Sequence, residues 1–463
     1  MSSQQAEAVQ SKGREYVAPW EKSFGKILTP FEEFLHRQTT GGLLLMGMAV
    51  LAMVIANSPL APHYEQILKT YATVGFGDWS IKMSLHHWIN DALMAVFFFV
   101  VGLELKREFL VGELADLRKA ILPIAAAIGG MVVPALFYFM LNPDGPAAAG
   151  WGVPMATDIA FAVGAIALLG NRVPPALVTF LVALAIVDDL GAVIVIAIFY
   201  TSSISLAPLG AAFLVFGLLL ALNFGGIRNS FPYFILAVAM WYFMLLSGVH
   251  ATIAGVLGAM TVPAIPKYDP ERFSAHVRKL MKTFDENHKP GESIMTNVAL
   301  RTQVQALENS VLRVEAPLQR LEHVWHGPVA FMIIPIFALA NAGIPISFGS
   351  LGETLSHPVV LGVSLGLIFG KLLGITLASY IVLRLGISQL PTDTRFSQIM
   401  GASLLAGIGF TMSIFVAQLA FGDQPELLLM AKTGVLGASF IAGVSGFIWL
   451  YLVGRPGAAS RPA

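Results

Sequence analysis

Cysteine is absent from all 463 residues, so no disulfide framework, thiolate metal site or catalytic thiol is available. A metal ion could be held only through oxygen or histidine. Charge is scarce too: 12% of residues are Asp, Glu, Lys or Arg, about half the share usual in soluble domains. The 28 acidic residues balance the 28 basic ones, so no net basic field draws nucleic acid to the chain. The first 40 residues, beginning MSSQQAEAVQSKGREY, lack the basic start, short apolar core and small-residue cleavage site of a signal peptide. They read as a cytoplasmic tail.

What is present is apolar. Hydrophobic residues make up 56% of the chain and mean hydropathy is +0.73, so lipid is the expected solvent. A spanning helix needs about 20 mostly apolar residues. Runs of that kind lie near 41–60, 86–105, 119–141, 151–171, 175–200, 204–223, 231–247, 249–265, 328–344, 358–384, 396–421 and 427–453. The expected fold is an all-α polytopic membrane protein of about twelve transmembrane helices, with segments 1–8 over 41–265 and segments 9–12 over 328–453. The stretch 72–84, TVGFGDWSIKMSL, reads as a short hairpin outside the membrane.

Only Ser247 and Gly248 separate the seventh and eighth runs, and loop charge decides whether they are one span or two. With the N-terminus inside, the cytoplasmic loops hold Lys106, Arg107, Arg118, Lys119, Arg172, Arg228, Arg384 and Arg395. Five more basic residues lie in the N-terminal tail, nine between segments 8 and 9, and Arg455 and Arg461 in the 454–463 tail. The outer loops hold only Lys69, Lys82 and Lys432. Fusing the two runs would reverse that asymmetry, so twelve spans with both termini cytoplasmic is the reading.

One soluble stretch, 266–327, interrupts the pattern as a cytoplasmic insertion. Leu300, Val304, Leu307, Val311, Val314, Leu318 and Leu321 alternate spacings of four and three, the seam of an amphipathic helix. Such a seam serves either a partner helix or, as adopted here, the membrane face of the same protein.

Charges in hydrocarbon are costly, and they persist mainly where they face a cavity, a partner or an ion path. Few are found: Asp158 in segment 4, Asp188 and Asp189 in segment 5, Lys371 in segment 10, and Asp91 and Glu104 near the two ends of segment 2. Asp188 and Asp189 sit mid-span in LVALAIVDDLGAVIVIAIFY, about 1.5 Å apart in rise and about 100° apart in direction. Two adjacent carboxylates at that depth cannot both stay ionised cheaply; they will bind protons, or a cation in their place. Lys371 follows Gly370 on a helix with Gly362, Gly366, Gly370 and Gly374 at four-residue spacing, a face that admits a close helix crossing and could bring the ammonium to an aspartate. FGKLLG is not a phosphate-binding loop, because Leu372 stands where Ser or Thr is needed.

Two spans carry breaks. Segment 4 reads GWGVPMATDIAFAVG, with Gly152 and Pro154 ahead of Thr157 and Asp158. Segment 11 reads SLLAGIGFTMSIF, with Gly407 and Gly409 ahead of Thr411 and Ser413. Unwound backbone is tolerated at membrane depth only when buried in protein or lining a cavity. Each break leaves a positive half-helix N-terminus, which Asp158 can offset, and a negative C-terminus, which Lys371 can offset. Segments 4 and 11 run in opposite directions, the mark of inverted repeats with two interrupted helices crossing at the site.

These strings resemble the NhaA family of bacterial sodium/proton antiporters. The matches are WINDALMAVFFFVVGLELKRE, ATDIAFAVGA, AIVDDLGA, SGVHATIAGV, LEHVWH, FALANAG, GKLLGI and GIGFTMSIF, in that order. The resemblance implies a homodimeric protein of the bacterial inner membrane that exports Na⁺ or Li⁺ for two H⁺, without a cofactor and without enzymatic activity. Asp189 would be the main cation and proton carrier and Asp188 its partner, with Thr157, Asp158 and Lys371 in support and Na⁺ held by Asp188, Asp189 and Thr157. Glu104, Glu108, His250, Glu322, His323 and His326 match positions tied to pH response. The half built on segments 3–5 and 10–12 would move against the rest. The 266–320 insertion departs from the family pattern directly ahead of LEHVWH.

Two rivals are weaker. An intramembrane aspartyl protease needs aspartates on two spans, yet the one GxGD string, Gly75 to Asp78, lies in a polar loop, and Tyr268-Asp269 lies in the insertion. A channel or a cation-coupled symporter shares the architecture and is separated by transport measurements.

Overall fold

The computed structural model describes residues 38–454 except 78, 202–203, 289–293, 346–348 and 350. The tails at 1–40 and 454–463, apart from 38–40 and 454, and Asp78 of the GxGD string lie outside the described residues.

The chain is a bundle of apolar helices. Helix α1 (Gln38–Ala56) is followed by α2 (Ala61–Lys69), bent from it by 112°. Strands β1 (Tyr71–Phe76) and β2 (Trp79–Ser84) pair antiparallel, from Tyr71 opposite Ser84 to Phe76 opposite Trp79, as the expected hairpin. Gly77 takes φ +61° in its tight turn, a conformation open to glycine at little cost. There follow α3 (Met94–Val111), continuous with a widened turn at Trp88–Leu93, and α4 (Leu117–Leu141). A 3₁₀ stretch (Pro146–Met155) precedes α5 (Ile159–Ala167), and α6 (Pro175–Phe199), α7 (Leu206–Phe224), α8 (Ser230–Ser247) and α9 (Thr252–Thr261) complete the first membrane part. After the insertion come α12 (Pro317–Pro328), α13 (Ile334–Asn341), α14 (Leu351–Ser356), α15 (Pro358–Leu365), α16 (Lys371–Arg384), α17 (Phe396–Leu405), α18 (Phe410–Phe421) and α19 (Pro425–Val453).

Among the described residues nine helical stretches are long and apolar enough to cross a membrane, or up to eleven if each of two bent pairs is one span. The eighth expected span, 249–265, is a helix only at α9. Its ten residues rise about 15 Å, half a bilayer core. Gly248 explains the break: at φ +82° it closes α8 in a left-handed cap, so α8 and α9 are separate helices. α9 is wedged instead among its neighbours. A Cβ on Gly102 would lie 2.8 Å from Ala259, and one on Gly258 2.9 Å from Ala237.

The glycine series on the Lys371 helix does the work its spacing implies. Gly362, Gly366, Gly370 and Gly374 all abut α4 or the turn after it; a Cβ at Gly370 would lie 2.7 Å from Pro134 Cα, and one at Gly374 would meet the Gly129 carbonyl. A widened turn at Gly366–Gly370 ends directly at Lys371. Such turns are common where a side chain must be re-aimed for function.

The insertion corrects the single-helix reading. Helices α10 (Pro270–Asn287) and α11 (Val298–Val314) form a hairpin, and the seam breaks at Glu315, ahead of Pro317. Val304 and Leu307 line a small apolar cavity with Leu280, Met281 and Phe284 of α10, so this part of the seam meets the neighbouring insertion helix rather than a membrane face. Leu318 and Leu321 belong to α12 and are buried in the same apolar cluster as Leu103, Tyr233 and Val262.

Candidate functional site

The two interrupted segments cross at their breaks. Between the 3₁₀ stretch and α5 the chain is extended at Ala156–Asp158, and between α17 and α18 it turns at Ala406–Gly409, where the two halves meet at 49°. Each break leaves backbone groups without helical partners, and the segments satisfy one another. The Asp158 amide donates to Ile408 O at 2.7 Å, the Thr157 hydroxyl to Ala406 O at 2.8 Å, and the Ser413 hydroxyl to Ala156 O at 3.4 Å.

Asp158 serves two helix starts at once. Its Oδ1 accepts from Phe161 N at 3.0 Å, capping α5, while its Oδ2 accepts from the Thr411 amide at 3.0 Å and from the Thr411 hydroxyl, at the start of α18. One carboxylate therefore faces both positive half-helix ends. Thr411, named in sequence only as following the Gly407–Gly409 break, is the second residue of α18, where its amide and hydroxyl meet the acidic cap.

Lys371 reaches an aspartate, as its glycine face allows, and not the α17 C-terminus that it could also offset. Its ammonium donates to Asp188 Oδ2 at 2.7 Å, both side chains being withdrawn from solvent. The α17 C-terminus is capped instead by Thr157 and the Asp158 amide. Thr157 sits against Asp188 through both its amide and its hydroxyl, and the same hydroxyl lies 2.8 Å from Ala406 O, so its oxygen stands between the carboxylate and the α17 end. Asp189 is buried on α6, and the charges acting on it are Asp188, Asp158, Lys371 and Glu104. Among the described residues, Oδ1 of Asp188 and Oδ1 of Asp189 are buried without a hydrogen-bond partner. Buried carboxylate oxygens without a donor are costly, and a proton or a cation relieves that cost.

A family model described as Na⁺/H⁺ antiporter 1 matches residues 32–450. The chain belongs to the Na⁺/H⁺ antiporter 1 family. Its relatives include Na⁺/H⁺ antiporter NhaA 1 of Saccharophagus degradans, 56% identical over 94% of either chain. It is also similar to Na⁺/H⁺ antiporter NhaA of Sulfurimonas denitrificans, 51% identical over 95% of this chain and 98% of that one. A third, of Dichelobacter nodosus, is 48% identical over 94% of each chain.

This Na⁺/H⁺ antiporter 1 family member carries a second ionic group at the α3–α12 contact. Arg107 binds Glu322 at 2.6 Å and Glu108 at 3.2 Å, and His326 Nδ1 lies 3.4 Å from Glu104 Oε1. Glu108 Oε2 also accepts from the Glu113 amide at 3.2 Å. Of the six residues grouped by resemblance, the fold thus gathers Glu104, Glu108, Glu322 and His326. Arg107, the cation joining two of them, was missed from sequence, although its spacing of three from Glu104 put it on the same face. His323 is exposed and joins none of these contacts, and His250 lies apart, between α8 and α9 beside the Tyr200 backbone.

Proposed function

We propose that this chain is an inner-membrane antiporter that exports Na⁺ or Li⁺ in exchange for two H⁺, by alternating access at Asp188 and Asp189. The observation that carries the reading is the buried Asp188–Lys371 pair beside Asp189, with a carboxylate oxygen of each aspartate lacking a donor at the crossing of two broken helices. Such a site holds either protons or one small cation. Na⁺ would be held by Asp189, Asp188 and the Thr157 oxygen, with Asp158 and Thr411 fixing the crossing.

Loading Na⁺ requires Asp189 to lose its proton and the Asp188–Lys371 pair to open, so the second proton is exchanged at that pair. Two positive charges inward for one outward makes the cycle electrogenic. Protons hold the carboxylates at low pH and leave them free for Na⁺ at higher pH, so competition by itself makes activity rise with pH before any further group acts. The Glu104–His326 and Arg107–Glu322–Glu108 contacts add a pH-responsive group near the cytoplasmic side, since imidazole titrates near neutrality. Loop charge supports cytoplasmic termini, and homodimer assembly is proposed from family membership.

The test is Na⁺-induced proton release from everted vesicles. Release that needs no organic solute, saturates with Na⁺ and moves net charge establishes the antiporter. A requirement for an organic solute would favour the symporter, and unsaturable flux a channel.

A further inference from the structure

The six consecutive carbonyls from Gly258 to Pro263, over the last turn of the short helix α9 and the two residues after it, all find partners outside the regular helical ladder. Gly258 O accepts from the Thr261 hydroxyl at 2.6 Å, and Ala259 O from Val262 N at 3.1 Å. Met260 O and Val262 O both accept from Lys106 Nζ, each at 2.6 Å. Thr261 O accepts from Asn223 Nδ2 of α7 at 2.7 Å, and Pro263 O from Leu318 N, the second residue of α12, at 3.1 Å. Lys106 is the one charged donor in this set, and the one that comes from α3.

The set forms a mechanical path. Lys106 fixes the exit of α9 to α3, and the Pro263–Leu318 bond passes that position to the start of α12. Glu322 and His326 follow one and two turns later on α12, facing Arg107 and Glu104 of α3. Glu104, Arg107 and Glu108 share one face of α3 at spacings of three and four, whereas Lys106 points to α9. Lys106 makes no contact with the ionic group, yet it ties together the two helices that carry it.

We propose that Lys106 is a positioning residue that sets the register of α12 on α3, and through it the pH response of exchange. This rests on the antiport reading above. The groups facing His326 are Glu104, Glu322 and Arg107, with Glu108 facing Glu322. Their spacing fixes the pH at which His326 gains its charge, and Lys106 fixes their spacing.

The experiment compares Na⁺-induced proton release against pH for wild type, Lys106→Met, Lys106→Arg and Asn223→Leu, the last removing a cap on α9 that does not come from α3. Lys106→Met is expected to displace the midpoint by about half a pH unit or more, with the Na⁺ KM at the alkaline plateau within about twofold of wild type. Lys106→Arg, which keeps charged donors, restores the midpoint, and Asn223→Leu leaves it in place. A wild-type midpoint in folded Lys106→Met overturns the inference, as does loss of exchange at every pH in a folded protein. Should Lys106→Met fail to accumulate, Lys106→Gln gives the same comparison under the same criteria. Absence of Na⁺-dependent proton movement in the wild type would instead refute the antiport reading, so the two failures are distinguishable.

Discussion

Lys371 Nζ and Asp188 Oδ2 are 2.7 Å apart, and neither side chain has any exposure to solvent. A buried pair of this kind is weak in net stabilisation, but breaking it strands a charge in a low-dielectric interior, at a cost of about 3–5 kcal/mol. Asp188→Asn and Lys371→Met should each lower the melting temperature of the purified protein sharply. The double variant should recover most of the loss, because no charge is then stranded. It should also move less net charge per Na⁺, having lost one of two proton carriers. Melting in detergent and currents from reconstituted vesicles check both parts.

Thr411 supplies two donors to Asp158, one from its amide and one from its hydroxyl. Thr411→Val removes the second and leaves a carboxylate that still faces two half-helix starts. A stability loss of about 1–3 kcal/mol is expected, with a raised Na⁺ KM as the crossing loosens. Ser should restore both, since it keeps the hydroxyl at the same position.

Competition fixes the sign of the pH dependence. Each proton that must leave before Na⁺ binds makes the apparent KM rise about tenfold per unit fall in pH, tending toward about a hundredfold if both carriers titrate together. Raising Na⁺ should therefore move the activity midpoint to lower pH. KM measured across the acid limb checks the slope, and a KM independent of pH would contradict competition at these carboxylates.

The two histidines of LEHVWH should behave differently. Both are exposed, but His326 lies 3.4 Å from Glu104, whereas His323 stands outside the ionic contacts. His326→Ala should displace the pH midpoint, and His323→Ala should leave it within about a tenth of a unit. Sequence alone treats the two alike, because both sit in the same motif three residues apart.

That contrast marks how much was legible in the residues. The bundle, the hairpin at 72–84, the two broken segments and the approach of Lys371 to an aspartate all follow from apolar runs, turn residues, glycine spacing and the cost of charge in lipid, while the choice of Asp188 comes from the family resemblance. What escaped depends on three-dimensional register. The half-length α9 reads as apolar throughout, and only the left-handed Gly248 shows why helix is lost at its start. The seam from Leu300 to Leu321 keeps its spacing across the Glu315 break, so periodicity joined two helices that the backbone separates. Thr157, rather than Lys371, caps α17, because the crossing geometry brings a hydroxyl within 2.8 Å of Ala406 O. Partner choice at that scale is not encoded in spacing along one chain.

The most direct test of the central claim is the proton released when Na⁺ is added to purified protein in weakly buffered solution, for wild type and Asp189→Asn. The account predicts saturable release from wild type that grows as pH rises toward the range where Na⁺ outcompetes protons, and none from Asp189→Asn in a folded state. Equal release from the two proteins would contradict the assignment of the exchanging site to Asp189.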